Sequence, residues 1–226
     1  MTKEIQKIYY KLRNDIITFR LSPNTRLREI EVAEEYRVSR TPIRDVFKAL
    51  EMDGLLEIHS KSGSFVTKID LAGLHDMMYL RYAAEWTVME ELHGKLNESD
   101  FDVLYAILSH MKQNSYVKRE NQDAEFATAY FDLDNEFHQF LFARSGHASF
   151  LPFLTDRFPT FQRYRFTTFL RDDTDLENLY YVHEKIIKTM ENGTKEQLHE
   201  LIREHNYSGI RGLDAVKARF PDYFNE

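Results

Sequence analysis

The sequence predicts a mainly α-helical protein, in which an N-terminal winged helix-turn-helix is followed by an all-helical bundle of about six helices. Three observations support this fold class. Apolar residues recur at helical spacing in both halves of the chain, the clear pair of strand-like runs lies before residue 70, and Gly and Pro are scarce after it. We therefore predict a winged helix-turn-helix domain at residues 1–69 and a helical domain at residues 70–226.

Three helices are predicted in the first 52 residues. The first, over residues 5–16, places its apolar residues on one face, and a short second helix follows over residues 29–36. Ser39 is a favourable N-cap for the third helix, and Pro42 falls in its first turn, where a missing N–H costs little. Gly54 then supplies a left-handed cap that ends this helix.

The third helix has an apolar face and a cationic face. Its inward face is formed by four apolar residues at helical spacing: Ile43, Val46, Phe47 and Leu50. Arg40, Arg44 and Lys48 are each four residues apart and share another face. Such a helix can lie in a major groove, where Arg donates two hydrogen bonds to a guanine edge and Thr or Ser binds phosphate or base. A solvated basic face is the alternative.

A β-hairpin wing is predicted after this helix. Two strand-like runs, residues 55–59 and 64–69, flank a turn that contains Lys61 at its tip and Gly63. Helix, helix, recognition helix and hairpin in this order are more specific than any one of them alone.

The N-terminal residues resemble those of the GntR-type bacterial transcription regulators. Three motifs carry the match across residues 5–69: Leu27-Arg28-Glu29, Val38-Ser39-Arg40-Thr41-Pro42-Ile43-Arg44 and Asp53-Gly54-Leu55-Leu56. The resemblance implies that Arg40, Thr41 and Arg44 read a double-stranded DNA operator. It also implies that Arg28 and the wing at Gly63 help to bind the operator. Together with the helix and the wing, it predicts seven DNA-contacting residues: Arg28, Ser39, Arg40, Thr41, Arg44, Lys61 and Gly63.

Two residues depart from the family pattern, because Asn24 and Arg37 stand where the family usually has glycine. Asn tolerates a positive φ angle fairly well, so the first change is mild. Arg tolerates it less well. We expect Arg37 either to add a phosphate contact or to alter the turn between the second and third helices.

Charge is divided unevenly between the two predicted domains. Residues 1–70 carry 13 Lys and Arg against 11 Asp and Glu, a net charge of +2, whereas the rest of the chain carries 17 against 26, a net charge of −9. An acidic second half would be repelled by DNA, so contact with DNA is expected in the first. The absence of Cys excludes disulfides, thiolate zinc sites and cysteine nucleophiles. Without a long apolar run or a charged-then-apolar leader, we expect a soluble, cytoplasmic protein with no membrane partner.

The second domain carries helical patterns throughout. Helices are predicted near residues 70–93, 98–120, 123–145, 148–170, 174–192 and 194–218. The 17 Phe and 13 Tyr of the chain supply ample material for a core.

Four polar residues of the predicted bundle fall in register with its apolar stripes. Asp134 and His138 are four apart and share a helix face, while His183 and His205 lie on the apolar stripes of two later helices. His199 lies off the stripe and is predicted to be solvated. One divalent cation would satisfy all four buried groups, and their oxygen and nitrogen atoms suit zinc, nickel or manganese. The alternative is that each is an ordinary core residue bonded to a carbonyl or a neighbouring acid.

The region 70–218 resembles the FCD-type ligand-binding domain of the FadR-like GntR branch. Its metal-binding members carry an Asp and a His four apart, then two more His on the last long helices. The resemblance therefore implies metal ligation by four residues: Asp134, His138, His183 and His205.

The same resemblance implies a small organic acid held over the metal by a carboxylate, with an arginine clamping its far end. Three arginines are candidates for the clamp, namely Arg81, Arg163 and Arg165, of which Arg81 ranks first. A surface salt bridge between Arg81 and Glu85 is the alternative interpretation.

The function predicted from these residues is a DNA-binding transcription regulator, a repressor that binds a palindromic operator as a homodimer. It is not expected to be an enzyme, and no catalytic residue is predicted. Two alternatives are a metal-dependent enzyme fused to a DNA-binding domain and a winged helix that mediates protein contacts only.

Overall fold

The structure is a computed structural model that describes residues 1–60, 62–117, 124–157, 159–167, 176–208 and 212–225. Most of these residues lie in helices. Contacts group the chain into two units. Unit 1 comprises Met1–His75, Arg157–Thr167 and Ala215–Glu226, and unit 2 comprises Asp76–Asp156 and Thr168–Asp214.

Unit 1 begins with three helices and a small antiparallel sheet. The helices are α1 (Lys3–Ile17), α2 (Glu29–Glu35) and α3 (Arg40–Met52). The strands are β1 (Arg26–Leu27), β2 (Leu56–His59) and β3 (Gly63–Val66), in the order β1-β3-β2. Helix, helix, helix and hairpin therefore follow in the predicted order, and the predicted fold class is confirmed.

The apolar face of α3 lies in the core of unit 1, as its periodicity predicted. The four residues predicted to point inward are completely buried: Ile43, Val46, Phe47 and Leu50. Gly54 has a φ of +71°, which is the left-handed conformation expected after the helix. Ser39 occupies the N-cap in an extended conformation, but its hydroxyl makes no capping hydrogen bond. The capping interaction predicted for Ser39 is therefore absent, and the hydroxyl remains exposed.

The two positions that depart from the family glycines both adopt left-handed backbone. Asn24 has a φ of 65° and Arg37 a φ of 57°. Asn24 also donates from its side chain to the carbonyl of Asp222 at 3.3 Å. The fold thus retains the glycine-like conformation at both positions, at a steric cost that is greater for Arg37.

Unit 1 also contains two later segments of the chain. Helix α8 (Pro159–Thr167) contacts α1, and Ile69 pairs with Phe224 in an isolated bridge. Two backbone hydrogen bonds support the bridge, since Ile69 N–H donates to Tyr223 O at 2.7 Å and Asn225 N–H donates to Ile69 O at 3.0 Å. Contacts group these later segments with the N-terminal residues, so the two units are not continuous stretches of the chain. The domain border predicted at residues 69–70 therefore remains a prediction.

Unit 2 is a bundle of long helices. Its described part contains α4 (Leu71–Leu92, which begins in unit 1), α5 (Glu98–Ser115), α6 (Ala124–Arg144), α7 (Phe150–Arg157), α9 (Leu176–Asn192) and α10 (Lys195–Ser208). Helix α11 (Leu213–Arg219) and a 3₁₀ turn (Pro221–Tyr223) follow. Helix α5 packs against α6 and α9, and α9 packs against α10. Buried aliphatic and aromatic side chains from these helices form one core.

Within the part of the chain that the structure describes, no helix has the length and apolar character needed to cross a membrane.

Candidate metal centre and nucleic-acid interface

The cationic face of α3 is exposed, and a single carboxylate holds two of its arginines. Nη2 of Arg40 lies 3.4 Å from Oε2 of Glu29, and Nε of Arg44 lies 3.3 Å from Oε1 of the same residue. The side chains of both arginines remain more than half exposed. Glu29 begins α2, so it sets the direction of both arginines across the turn between α2 and α3. Its role depends on how the two helices pack, and periodicity does not reveal it.

The remaining predicted DNA contacts lie around the same face and on the wing. Thr41 and Ser39 are exposed at the start of α3, and Arg28 pairs with Glu31 at 2.7 Å. Gly63 has a φ of +104°, and a Cβ built there would lie 3.0 Å from Nε of Arg26. The backbone conformation therefore favours glycine at position 63, whereas the nearby Arg26 side chain would only have to shift slightly to admit a Cβ. The predicted contact at Lys61 lies outside the described residues.

The structure brings four polar residues of unit 2 together. One ligand atom from each of Asp134, His138, His183 and His205 lies within 4.8 Å of the others. Asp134 and His138 lie on α6, His183 on α9 and His205 on α10. The first three are buried and His205 is half-buried. Their register along separate helices predicted this convergence.

The geometry of His183 fits a cation site. Nδ1 of His183 lies 2.8 Å from the carbonyl of Leu179, which can only accept, so Nδ1 carries the proton. In the neutral ring Nε2 then presents a lone pair, and this buried atom has no hydrogen-bond partner among the described residues. It lies 3.1 Å from Oδ1 of Asp134, so two electron-pair donors face each other. A divalent cation bound between them would accept an electron pair from each.

His138 and His205 face the same point with neutral rings. Their Nε2 atoms lie 3.2 Å apart. Burial lowers the pKa of His138 to about 4, even though the Glu85 carboxylate beside it acts in the opposite direction. Burial, followed by the neighbouring imidazoles, lowers the pKa of His205 well below its ordinary value. Neutral imidazoles are the form that binds metals, so the cluster fits a metal site.

A buried ion pair lies behind the cluster. Nε of Arg81 donates to Oε1 of Glu85 at 2.5 Å, and Nη2 of Arg81 lies 3.8 Å from Oδ2 of Asp134. Burial alone would raise the pKa of Glu85, but Arg81, His138 and His205 together lower it to about 2. The alternative interpretation of Arg81 and Glu85 as a surface salt bridge is therefore wrong, because the pair is buried. The pair lies beside the predicted metal ligands.

The other two arginine candidates belong to the other unit. Arg163 and Arg165 belong to α8 in unit 1, whereas the cluster belongs to unit 2. Arg163 donates from Nη2 to Thr67 O at 2.7 Å. His199 lies outside the cluster, as its register predicted. It is nevertheless half-buried rather than solvated, because its ring lies 4.3 Å from that of Trp86.

Two family models match the chain. The model for bacterial regulatory proteins of the gntR family matches residues 4–66, and the FCD domain model matches residues 76–207, which is more than half of the chain. The chain belongs to the GntR family and carries an FCD domain. The resemblance predicted for both parts is confirmed, and the Asp/His cluster of this GntR-family regulator lies in the type of domain that commonly binds metal.

Curated relatives of this GntR-family regulator are also transcription regulators. An HTH-type transcriptional regulator of Streptomyces ambofaciens is 34% identical over 142 residues, covering 63% of this chain and 56% of that protein. The HTH-type transcriptional repressor RspR of Escherichia coli strain K12 is 33% identical over 136 residues, covering 60% of this chain and 57% of that protein. The matched part thus spans little more than half the length of these relatives.

Solved structures support the fold. The chain matches E. coli McbR/YncC with a TM-score of 0.68 at 15% identity, covering 97% of this chain and 100% of that one. A GntR transcriptional regulator from Rhodococcus sp. RHA1 also matches with a TM-score of 0.68, at 18% identity, covering 95% and 99%. These two structures support the fold of this GntR-family protein, and the curated relatives described above are named as transcription regulators.

Proposed function

We propose that this GntR-family regulator is a homodimeric repressor whose operator affinity is changed by a small carboxylate bound at a divalent metal. The observation that carries the proposal is the buried pair of electron-pair donors, Nε2 of His183 and Oδ1 of Asp134, 3.1 Å apart inside a cluster of four potential ligands. A buried Nε2 of His183 with no hydrogen-bond partner among the described residues is costly, and a cation that accepts its lone pair removes that cost.

Asp134, His138, His183 and His205 would hold the ion. An oxygen and three imidazole nitrogens suit zinc, nickel or manganese. A metal held in this way supplies a Lewis-acidic position to which a carboxylate can bind. The protein's own contribution is a set of largely buried side chains whose directions are fixed by three helices.

Arg81 is the best candidate for the clamp on the effector. Its guanidinium lies beside the Asp134 carboxylate and is aligned by Glu85, so it is held at the edge of the ligand cluster. A planar guanidinium can bind a carboxylate bidentately, as an organic-acid effector requires. Arg163 and Arg165, which belong to unit 1, remain the two other candidates for this role.

The DNA side of the proposal rests on α3 and the wing. Arg40, Thr41 and Arg44 would read base edges, while Ser39, Arg28 and the wing at Gly63 would contact phosphates. A two-fold dimer would match a palindromic operator. The repressor role is supported by the likeness to RspR, which is named as a repressor.

Alanine variants test the metal site. His138→Ala, His183→Ala and His205→Ala should each strongly lower metal occupancy, because each removes one ligand from a multidentate site. His199→Ala is the control, since His199 lies on the same helix as His205 but outside the cluster. Elemental analysis of the purified proteins measures the result. Equal metal content in all four variants would show that the three histidines are ordinary structural residues and do not bind metal.

An operator-binding titration tests the effector. With a panel of organic acids, at least one acid should change the operator affinity of the native protein by about 5–150-fold, the usual range of allosteric coupling. The same acid should have little effect on His183→Ala and a weaker effect on Arg81→Ala. If His183→Ala responds as the native protein does, the metal is structural and does not sense the acid.

A further inference from the structure

Glu85 is fully buried behind the ligand cluster without belonging to it. Its Oε1 accepts from Nε of Arg81 at 2.5 Å and lies 3.1 Å from Nδ1 of His138. Its Oε2 accepts from Nδ2 of Asn206 at 2.7 Å, one residue after His205 on α10. One carboxylate on α4 therefore contacts side chains from α6 and α10, two helices that supply metal ligands.

The position of this carboxylate matters because a neutral imidazole carries its proton on only one nitrogen. A carboxylate can only accept, so Glu85 favours the proton on Nδ1 of His138 and leaves the lone pair on Nε2. Nε2 is the atom that faces the cluster, at 3.2 Å from Nε2 of His205 and 3.9 Å from Oδ2 of Asp134.

Glu85 also determines where the nearest cation lies. It is the carboxylate that binds Nε of Arg81, and the other end of the same guanidinium reaches towards Asp134. Asn206 holds the second oxygen of Glu85, so the carboxylate is fixed from both sides. A change at Glu85 would therefore disturb both His138 and Arg81.

We propose that Glu85 is a positioning residue of the metal site, an inference that rests on the proposed metal binding. It holds His138 in the tautomer and orientation that present Nε2 to the ion, and it holds Arg81 at the edge of the same site. The carboxylate thereby joins the metal ligands to the arginine assigned to the effector. If Glu85 served only to neutralise Arg81, the tautomer of His138 would not depend on it.

The test is Glu85→Gln in the full-length protein, because a carboxamide is similar in size but lacks the negative charge that favours a proton on Nδ1 of His138. In metal-free protein with ¹⁵N-labelled histidine, NMR should find the His138 proton on Nδ1 in the native chain and a larger fraction of the Nε2–H tautomer in the variant. Chelator competition should find Zn²⁺ or Ni²⁺ affinity about 10–100-fold weaker in the variant, the usual effect of losing such a partner.

Glu90→Gln is the matched control. It makes the same substitution on the same helix, at a half-exposed residue whose ion pair is with Lys195 at 3.7 Å. The tautomer of His138 and the metal affinity should both stay native in this control. If Glu85→Gln fails to fold because Arg81 is left as an unpaired buried charge, Arg81→Met/Glu85→Gln removes both charges and should still show the changed tautomer and the weaker affinity.

The outcomes separate this inference from the proposed function. If the native protein binds no metal, the proposed function fails and the inference falls with it. If the native protein binds metal through His138, His183 and His205, but the Glu85 variants keep native affinity and the native tautomer, only the role of Glu85 is overturned.

Discussion

Arg40 and Arg44 lie one turn apart on α3, and both approach the carboxylate of Glu29. A long flexible side chain must be ordered before it can read a base, which costs conformational entropy. Glu29 reduces that cost by holding the arginines before DNA arrives. It also places a negative charge near the phosphates, which disfavours binding to any sequence. Glu29 should therefore increase selectivity while it limits overall affinity.

Substitution of Glu29 tests this expectation. Glu29→Ala should raise the affinity for random DNA and lower the preference for the operator by roughly 10-fold, within the discrimination of one good base contact. Arg44→Ala should instead cost about 1–3 kcal/mol on the operator and relax the preference at one base position. Fluorescence anisotropy with operator and scrambled duplexes measures both.

Glu35→Ala is the control for Glu29, because it removes the same charge from an exposed position at the end of α2. If Glu29→Ala and Glu35→Ala change the two affinities alike, Glu29 acts only through its charge and does not orient the arginines.

Helix α8 illustrates how a helix can belong to one domain by sequence and to another unit by contact. It lies within the residues that match the FCD model, yet it packs in unit 1. Arg163 on this helix donates to Thr67 O at 2.7 Å and to Thr67 Oγ1 at 3.0 Å. Its guanidinium lies 5.9 Å from the ring centroid of Phe19. Burial lowers the pKa of Arg163 to about 10, so the group stays charged at neutral pH.

Removal of this buried cation should destabilise unit 1. Arg163→Met keeps much of the side-chain volume but leaves the carbonyl of Thr67 without its charged donor. We expect the free energy of unfolding to fall by about 1.5–3 kcal/mol, the contribution of a hydrogen bond to a charged group. Urea denaturation followed by circular dichroism measures this change. Arg203→Met, at an exposed pair with Glu200, should cost under about 1 kcal/mol. Equal losses in the two variants would contradict a special role for Arg163.

Net charge and the two proposed ligand sites are both divided along the sequence, between the N-terminal part and the rest of the chain. The positively charged N-terminal part carries the residues proposed to read DNA, and the strongly acidic remainder carries the Asp/His cluster proposed to bind metal. Each proposed site can therefore bind its own ligand. Any effect of one ligand on the affinity for the other is then thermodynamic linkage. Such linkage is reciprocal for binding free energies.

Reciprocity provides a quantitative prediction. If an organic acid changes operator affinity by a given factor, the operator should change the affinity for that acid by the same factor. Isothermal titration of the acid into free protein and into the protein–operator complex measures the second factor. Unequal factors would show that the acid acts through a process other than the two coupled equilibria, such as a change in oligomeric state.

Local patterns of the sequence predicted the main elements and the four residues that the structure brings together in the Asp/His cluster. Asp134 and His138 share a helix face because they are four residues apart, and the stripes containing His183 and His205 had to face a core. The left-handed backbone at Asn24 and Arg37 could be expected from the family glycines they replace. These features depend on periodicity and backbone sterics, which short segments already contain.

Only the tertiary structure decided which side chains support those sites. Glu85 meets Asn206 across 121 residues, Arg163 meets Thr67 across 96, and Glu29 meets Arg44 across a turn. Periodicity places Glu85 and Arg81 on one face of α4, but it does not distinguish a surface pair from a buried one. The identity of a partner depends on how helices distant in sequence pack together, and on which polar groups that packing leaves to be satisfied.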